Sequence, residues 1–321
     1  MNSATAIAHP NIALVKYWGK RDLTLNLPSV SSLSMTLDSF HTRTTVTWDA
    51  PSDGVVLNGQ PASPKIARRT LAFLDRMDSR RPPCHIDTHN TFPTGAGLAS
   101  SASGFAALAL AASAARGEKP DRQHLSVLAR QGSGSACRSL WGGFVVWDRG
   151  ERPDGLDSHG RPLPDASTWD LRMVVAIVTT GPKDVGSTEG MERSRLTSPL
   201  YSTWVEQAES DVQAGIDAVH ARDLEALGQV MESSTLKMHA SMMTSIPPLL
   251  YWAPATIACL HAIWRLRAKG VSAWCTMDAG PQVKVLCRAA DVPQVTAALA
   301  EHAEQLHVLG QGGPARLEQT P

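Results

Sequence analysis

Residues 92–104 have the sequence FPTGAGLASSASG, a run of small residues that leads into an alanine-rich stretch. Glycine lets the backbone turn its N–H groups toward a ligand, and the N-terminus of a following helix presents the positive end of its dipole. This arrangement suits a phosphate chain, with the hydroxyls of Ser100 and Ser101 able to reach phosphate oxygens or a magnesium ion. The segment matches neither the Walker pattern nor a dinucleotide-binding fingerprint. A helix N-terminus with small residues for packing explains the same sequence. For the segment alone, both this interpretation and a phosphate-binding loop stay open.

Elements of mixed type surround this segment. Alternating β-branched residues predict a strand at 42–48, and an Asn-Gly pair within 54–60 predicts a hairpin. Apolar residues at helical spacing predict a helix at 65–77, and residues 85–89 alternate like a strand. Alanine, the strongest helix former, predicts a helix at 101–115. The first half of the chain therefore contains both strands and helices.

The second half of the chain combines long helical patterns with short apolar strands. Residues 148–167 are rich in proline, glycine and aspartate, which predicts a surface loop near the domain boundary. A continuous apolar run at 171–179 suits a buried strand. The remaining predictions are helices at 198–220, 223–244, 254–268 and 292–302, and strands at 271–277 and 282–287. This pattern favours an α+β domain in which helices cover an antiparallel pair of strands.

Length and composition limit the class of protein. At 321 residues the chain exceeds the usual size of one hydrophobic core, so two domains, or one large one, are expected. Thirty basic residues balance thirty acidic ones, which argues against a nucleic-acid partner. The N-terminal residues lack the order of a secretory signal, and no apolar run approaches the ~18–20 residues that cross a membrane. Five cysteines without a CxxC pair predict free thiols in a reducing, cytoplasmic location.

Residues 11–22 have the sequence NIALVKYWGKRD and place two lysines and a tyrosine beside a glycine. Lys16, Tyr17 and Lys20 can grip a diphosphate through charge-assisted hydrogen bonds. A strand followed by a solvated basic turn explains the same residues, and most charge clusters are solvated surface.

Residues 130–143 have the sequence RQGSGSACRSLWGG. Ser133 and Ser135 can present both hydroxyls and amides to an anion, and the planar fork of Arg138 suits a carboxylate. The segment STEGM at 187–191 is too short to interpret alone.

Asp278 lies in the segment TMDAGP at 276–281, at the end of a predicted strand. Glycine and proline fix the next turn, so this carboxylate can be held rigidly for catalysis. Aspartate before Ala-Gly-Pro is more often simply a turn former. His85, Asp87 and His89 would share one face of a strand, which leaves a zinc site open, although a fourth ligand is not evident.

Together these segments resemble the signatures of the diphosphomevalonate decarboxylases, a family of the GHMP small-molecule kinase superfamily. The resemblance runs from about Asn11 to Cys287 in family order, and KYWGK and GSGSACRS set the decarboxylases apart from ordinary GHMP kinases. It implies an α+β GHMP kinase fold with the active site in the cleft between two domains. Residues 1–180 would form an ATP-binding domain of the ribosomal S5 domain 2-like type, and residues 181–321 a ferredoxin-like domain.

The resemblance also implies an activity, the ATP-dependent decarboxylation of (R)-mevalonate 5-diphosphate to isopentenyl diphosphate in isoprenoid synthesis. ATP and Mg²⁺ are the implied cofactors, and a homodimer is the implied assembly. Two related activities stay open: phosphorylation of the 3-hydroxyl without decarboxylation, and decarboxylation of a monophosphate. A catalytically inactive ligand-binding protein is the alternative from a different class.

The same resemblance implies roles for individual residues. Asp278 would lie beside the substrate's 3-hydroxyl as a base or an orienting group, with Lys16 near it, and Arg138 would hold the substrate carboxylate. The implied substrate-binding residues are Tyr17, Lys20, Arg69, Ser133, Ser135, Ser187 and Met191, with Arg68 as the competing choice for Arg69. The implied loop for the ATP phosphates consists of Gly95, Ala96, Gly97, Leu98, Ala99, Ser100 and Ser101.

Overall fold

A computed structural model of the chain describes residues 2–92, 100–164, 169–181 and 184–318. In these ranges the strands are β1 (Ser3–Ala8), β2 (Asn11–Val15), β3 (Lys20–Asp22), β4 (Leu27–Pro28), β5 (Ser32–Thr36), β6 (Thr42–Trp48), β7 (Gly54–Leu57), β8 (Gln60–Pro61), β9 (Cys84–Asn90), β10 (Phe144–Trp147), β11 (Gly160–Pro162), β12 (Leu171–Ile177), β13 (Ala273–Thr276), β14 (Val283–Arg288), β15 (Gln305–Leu309) and β16 (Arg316–Leu317). The α-helices are α1 (Pro64–Met77), α2 (Ser100–Ala115), α3 (Arg122–Gly132), α4 (Ser187–Thr197), α5 (Tyr201–Ala221), α6 (Leu224–Met243), α7 (Pro254–Arg267) and α8 (Val292–Leu299). None of the helices in these ranges is long and apolar enough to cross a membrane.

The largest sheet carries the alanine-rich helix α2 on one face. Its strand order is β16-β1-β6-β9-β7-β8, and all neighbours are antiparallel except β7 and β9. Alternate residues of β6 and β9, including Val46, Trp48 and Ile86, are buried in the same core as the alanines of α2. Trp48 Nε1 also donates a hydrogen bond to the carbonyl of Ala112 at 3.1 Å. This packing fixes α2, whose first turn contains two of the predicted phosphate-binding serines.

Two four-stranded sheets from opposite halves of the chain share one apolar core. Their strand orders are β11-β10-β5-β2 and β13-β14-β12-β15. The shared core takes residues from both sheets and from α5 and α6, among them Ile12, Leu33, Met173, Val212, Leu227, Met231 and Leu286. Since β2 ends directly before Lys16 and β13 ends shortly before Asp278, this core brings the two halves together at residues predicted for catalysis.

Gly228 in α6 is a position of close approach. A Cβ atom built on it would lie 2.1 Å from the ring of Trp274 in β13. Only glycine therefore fits without displacement, because protein interiors are close-packed. Helix α6 consequently lies directly against the strand that leads to Asp278.

Most predicted elements are confirmed. The helices predicted at 65–77, 101–115, 198–220, 223–244 and 254–268 correspond to α1, α2, α5, α6 and α7, and the two strands near the C-terminus pair antiparallel as β13 and β14. The predicted hairpin turns through Asn58 and Gly59 at φ 51° and 75°, the left-handed values that tight hairpins require.

The prediction of a surface loop at 148–167 is wrong for part of the segment. Strand β11 pairs with β10, and Ser158 is fully buried. The buried Arg130 holds this segment, because its Nη1 donates to the carbonyls of Gly155, at 2.7 Å, and of Ser158. Residues 165–168 lie outside the described ranges. Strand β12, which precedes the predicted boundary at 180/181, lies between β14 and β15 in the C-terminal sheet; the boundary itself stays a prediction.

Candidate active site

Asp278 lies between two buried lysines. Its Oδ1 accepts a hydrogen bond from Lys16 Nζ at 2.7 Å, and its Oδ2 accepts one from Lys284 Nζ at 3.2 Å. Both lysine side chains are 1% exposed, whereas the Asp278 side chain is 31% exposed. The carboxylate is therefore the accessible part of this cluster, and the lysines support it from the interior.

Three strands and a tight turn position the cluster. Lys16 follows β2, Asp278 follows β13, and Lys284 lies within β14. The chain turns directly after Asp278, since Gly280 N–H donates to the Asp278 carbonyl at 2.7 Å. Gln282 fixes the turn because both ends of its amide bond the backbone just beyond β12. The segment MDAGP thus forms the rigid turn that its predicted catalytic role requires.

The cluster carries an excess of positive charge. Burial disfavours the ionised form of Asp278, but the two lysines outweigh that effect and hold its pKa well below the usual range. Burial lowers the pKa of Lys16 to about 8, although Asp278 opposes the shift. Two ammonium groups beside one carboxylate leave a net charge of +1 at neutral pH. Such a site favours an anionic ligand.

Arg138 is a further buried cation near this cluster. It lies in the 3₁₀ helix Gly134–Leu140 that follows α3, and 2% of it is exposed. Its Nε donates to Asn11 Oδ1 at 3.0 Å, and its Nη1 donates to Ser32 Oγ at 2.7 Å. Burial lowers the pKa of Arg138, and the charge of Asp278 opposes that shift. The guanidinium plane is therefore fixed before any substrate binds.

Tyr17 packs against the same region. Its ring lies 4.6 Å from that of Trp147, measured between centroids. Its hydroxyl is buried and has no hydrogen-bond partner among the described residues. Burial raises the pKa of Tyr17 far above its usual value, so the hydroxyl keeps its proton. A buried hydroxyl of this kind needs an explanation, and a bound ligand would supply the partner.

A cavity of about 380 Å³ has five basic side chains in its lining. They belong to Lys20, Lys65, Arg68, Arg69 and Arg76. Arg69 is anchored, because its Nη2 donates to the Gly132 carbonyl at 2.9 Å and its guanidinium lies over the Phe105 ring. Burial lowers the pKa of Lys20, and the neighbouring Arg69 and Arg76 lower it further. Since Arg68 and Arg69 both line the cavity, the choice between them stays open.

A second cavity, of about 180 Å³, lies at the start of α2 and is lined by Ser100, Ser101 and Arg69 among others. The hydroxyls of Ser101 and Ser133 are 3.1 Å apart. The predicted phosphate loop and the GSGSACRS segment therefore meet at this point. Arg69 lines both cavities and links them. The remaining loop residues lie outside the described ranges; they are Gly95, Ala96, Gly97, Leu98 and Ala99.

The other predicted substrate residues differ in their surroundings. Ser135 is half-buried in the 3₁₀ helix, and Ser187 is half-buried at the start of α4. Thr188, the next residue, lines the basic cavity. Met191 is buried in an apolar cluster with Trp18. The structure thus brings Ser187 close to the basic cavity and places Met191 in an apolar cluster, so a substrate contact by Met191 would be apolar.

Sequence reasoning missed Lys284, Asn11 and Ser32. A lysine within the apolar stretch VKVLC at 283–287 was a usable signal, because a lysine in a buried strand needs a counterion. The partners of Arg138 had no such signal, since Asn11 and Ser32 are 127 and 106 positions away in the chain.

The zinc interpretation gains no support. His85, Asp87 and His89 do share one side of β9, but all three residues are exposed there. Among the described residues, no group of three or more His, Cys, Asp or Glu side chains is arranged to hold a metal ion.

Family models match both halves of the chain. The diphosphomevalonate decarboxylase-like N-terminal domain matches residues 8–160, and the mevalonate 5-diphosphate decarboxylase C-terminal domain matches residues 173–311. The chain belongs to the diphosphomevalonate decarboxylase family. The family and the enzyme class predicted from the sequence are therefore confirmed.

Curated diphosphomevalonate decarboxylases align with most of this chain. The protein from Aspergillus fumigatus is 40% identical over 307 residues, which cover 88% of this chain and 76% of the relative. The human protein is 37% identical over 324 residues, which cover 92% of this chain and 80% of the relative.

Solved structures of the family have the same fold. Mevalonate diphosphate decarboxylase from Staphylococcus aureus superimposes with a TM-score of 0.94 at 35% identity, covering 99% of this chain and 98% of that one. A structure described as MDDEF in complex with MVAPP, AMPPCP and magnesium gives a TM-score of 0.93 at 40% identity, covering 99% of each chain. These matches confirm the predicted α+β GHMP kinase fold. The ATP analogue and magnesium in that complex agree with the predicted cofactors.

Proposed function

We propose that this chain phosphorylates the 3-hydroxyl of (R)-mevalonate 5-diphosphate with ATP and decarboxylates the product, giving isopentenyl diphosphate, ADP, phosphate and CO2. The observation that carries the proposal is the 2.7 Å pairing of Asp278 with Lys16, close to buried Arg138. This site and the basic cavity concentrate positive charge in a chain without net charge. A substrate with a carboxylate and a diphosphate complements that distribution. The relatives named diphosphomevalonate decarboxylase support the same substrate.

Asp278 orients the 3-hydroxyl more than it removes its proton. The two lysines keep its pKa well below the usual range, so the carboxylate is ionised at neutral pH and is a weak base. An ionised carboxylate accepts a hydrogen bond from the hydroxyl and aligns that oxygen with the γ-phosphate of ATP. Phosphoryl transfer depends mainly on positioning and on charge stabilisation, so a weak base is sufficient, and the hydroxyl proton passes to Asp278 only as the new O–P bond forms.

Arg138 and Lys16 stabilise the anions that the second step requires. Arg138 binds the substrate carboxylate in a fixed direction, because Asn11 and Ser32 already hold its guanidinium. When the bond between C3 and oxygen breaks, phosphate leaves with the bonding electrons. The electrons of the bond to the carboxylate carbon then form the new double bond as CO2 departs. Lys16 lies where it can stabilise the leaving phosphate.

The two cavities bind the phosphate groups of the two substrates. The diphosphate occupies the basic cavity, and the residues that contact substrate there and nearby are Tyr17, Lys20, Arg69, Ser133, Ser135, Ser187 and Met191. The ATP phosphates lie at the start of α2, where Ser100 and Ser101 offer hydroxyls and the helix dipole favours anions. These hydroxyls also fit a magnesium ion held mainly by the phosphates, which supplies charge neutralisation when bound.

A product assay tests the proposal against its alternatives. The purified protein receives ATP, magnesium and either mevalonate 5-diphosphate or mevalonate 5-phosphate, and ADP, phosphate, CO2 and the isopentenyl product are measured together. Equal amounts of ADP and CO2 from the diphosphate support the decarboxylase. ADP without CO2 indicates a 3-kinase, turnover of the monophosphate changes the substrate, and no turnover favours a ligand-binding protein. The basic cavity favours the diphosphate over the monophosphate.

We also propose a cytoplasmic homodimer. All five cysteines are free and buried, which suits a reducing compartment. Leu196 and Ile246 are 64% and 72% exposed, and the Ile246 N–H donates to Thr197 Oγ1 at 2.8 Å, so the two segments adjoin. Adjoining exposed apolar side chains favour association with a second copy. Light scattering tests this assembly, and a monomeric mass at micromolar concentration would contradict it.

A further inference from the structure

Lys284 contacts no substrate group in the mechanism proposed above. Its side chain is 1% exposed, lies between valines in β14, and places Nζ 3.2 Å from Asp278 Oδ2. Within the described ranges, Asp278 is its one acidic partner. A buried ion pair is often no more stabilising than an apolar side chain of similar volume. Stability alone therefore does not explain a lysine at this position, and its contact with the carboxylate of Asp278 indicates an effect on that group.

We infer that Lys284 is a positioning residue, which keeps Asp278 ionised and in one orientation while the anionic substrate is bound. This inference rests on the proposed function. With Lys16 alone, the pair would be neutral, and the substrate carboxylate and the ATP phosphates would approach Asp278 as uncompensated like charges. Like charges disfavour ionisation of a carboxylate. The second lysine leaves a net positive charge behind Asp278 and offsets that repulsion.

Four groups face Asp278 from the surrounding elements. They are Lys16 after β2, Lys284 in β14, Arg138 in the 3₁₀ helix and His239 in α6. Burial lowers the pKa of His239 to about 3, so this ring is neutral under assay conditions. Arg138 already bonds Asn11 and Ser32. Lys284 and Lys16 therefore supply the charge that touches the carboxylate directly.

The sign of the effect follows from these charges. Removing the ammonium of Lys284 makes ionisation of Asp278 harder, so the pKa of Asp278 rises. In the wild type, Lys284 repels Lys16 and lowers the pKa of Lys16. Removing Lys284 therefore raises the pKa of Lys16 as well. Both limbs of the pH–rate profile should consequently move to higher pH. The acid limb of kcat should move further than that of kcat/KM, because kcat reports groups in the substrate complex.

The kinetic test compares Lys284→Met, which removes the charge, with Lys284→Arg, which keeps it. Lys237→Met is a matched control, because Lys237 pairs with Asp211 in another lysine–aspartate contact. We expect Lys284→Met to lower kcat by about tenfold or more at neutral pH with a small change in KM, as for loss of a group that acts in the transition state. Lys284→Arg should restore the profile in large part. An unshifted pH profile in Lys284→Met would overturn the inference.

A second readout does not need turnover. Carboxyl carbon NMR of protein labelled at aspartate, with Asp278 assigned from Asp278→Asn, follows ionisation with and without mevalonate 5-diphosphate. Wild type should show no titration of this carbon above about pH 4, whereas Lys284→Met should titrate at higher pH, most of all with the substrate bound. If Lys284→Met does not fold, Lys284→Gln replaces it. If wild type makes no isopentenyl product while these shifts occur, the proposed function fails and the inference on Asp278 stands. If the product forms and no shift occurs, the proposed function stands and the inference on Asp278 fails.

Discussion

Lys16 and Asp278 are 262 positions apart in the chain, and their side chains meet at 2.7 Å. The lysine follows a strand of the N-terminal half, and the aspartate follows a strand of the C-terminal half. Because one apolar core spans both sheets, the contact depends on the correct packing of the whole chain. The proposed catalysis is therefore sensitive to changes in that core as well as in the site.

Replacing Asp278 by asparagine keeps the shape of the side chain and removes its charge. We expect the turnover rate to fall by about 10²–10⁴ or more, because both hydroxyl orientation and charge complementarity are lost. Asp211→Asn, which changes another lysine-paired aspartate, should stay close to the wild-type rate. The measurement is CO2 release by folded protein, with circular dichroism to confirm folding. Near wild-type turnover in Asp278→Asn would exclude the role.

The ammonium of Lys16 gives an expected basic limb in the pH–rate profile. Since its pKa is about 8 in the folded protein, Lys16 loses its proton as the pH rises through that value. The neighbouring positive charge is then lost, so kcat/KM should fall above about pH 8. Lys16→Met should be slow at every pH and lack this limb. A wild-type kcat/KM that stays level above about pH 8 would argue against a charged Lys16 in the reaction.

Arg138→Lys keeps a positive charge and loses the planar fork. One ammonium cannot bond Asn11, Ser32 and a substrate carboxylate in the geometry that the guanidinium allows. We expect kcat/KM to fall about 10- to 100-fold, since a charge-assisted hydrogen bond contributes about 1.5–3 kcal/mol. Steady-state kinetics with varied mevalonate 5-diphosphate measure the effect. Unchanged constants would count against carboxylate recognition by Arg138.

His239 makes stability depend on pH. Its pKa is about 3 in the folded protein, so above about pH 6.5 it is neutral in both the folded and unfolded states and has no effect. Below that value the unfolded chain binds a proton that the folded protein cannot, and the free energy of unfolding decreases by up to about 1.4 kcal/mol per pH unit. His9, whose pKa is also lowered by burial, acts in the same direction.

The histidine prediction is checked by urea unfolding between about pH 6.5 and 5. His239→Gln should lose less stability over this range than wild type does. His220→Gln, at an exposed position of α5, should keep the wild-type dependence. Equal slopes for wild type and His239→Gln would show that the buried ring is not the source.

Two helical glycines should respond in opposite directions to alanine. At Gly228 the new methyl group would meet the Trp274 ring, so the free energy of unfolding should decrease by about 1–3 kcal/mol through overpacking. Gly104 in α2 has no atom within 4 Å of a new Cβ, so Gly104→Ala should increase it by about 0.4–1 kcal/mol. Chemical denaturation measures both values. Unchanged or increased stability in Gly228→Ala would contradict the packing described for Gly228, and a loss of stability in Gly104→Ala would contradict the open space at Gly104.

The sequence predicted the chemical groups of the site better than their surroundings. Lys16 and Asp278 were identified from short segments, but a solvated basic turn was the favoured interpretation of the Lys16 segment alone. The structure excludes that interpretation, because Lys16 is buried and bonded to Asp278. The pairing could not be predicted, since it depends on how two distant strands pack. Lys284 was missed because its strand was recognised only from its apolar residues.

Local periodicity also explains which elements could be predicted. Long helices such as α5 and α6 repeat apolar residues over several turns, so their pattern is strong. The 3₁₀ helix Gly134–Leu140 begins with glycine and contains two serines, residue types that favour irregular structure. Tertiary contacts hold it, such as the hydrogen bond from Ser126 Oγ to the Cys137 carbonyl at 2.8 Å. Such contacts are not visible in a segment of sequence.

The distance along the chain between Lys16 and Asp278 also matters during synthesis. At about 5–20 residues per second, a ribosome needs roughly 13–50 s to make the intervening stretch. Until Asp278 is made, packing of helix α6 against β2 would bury the ammonium of Lys16 without its counterion, which disfavours the native packing of β2. A chain released before β13 therefore keeps this end of β2 open to proteases, and limited proteolysis of such a truncated product would reveal cleavage there.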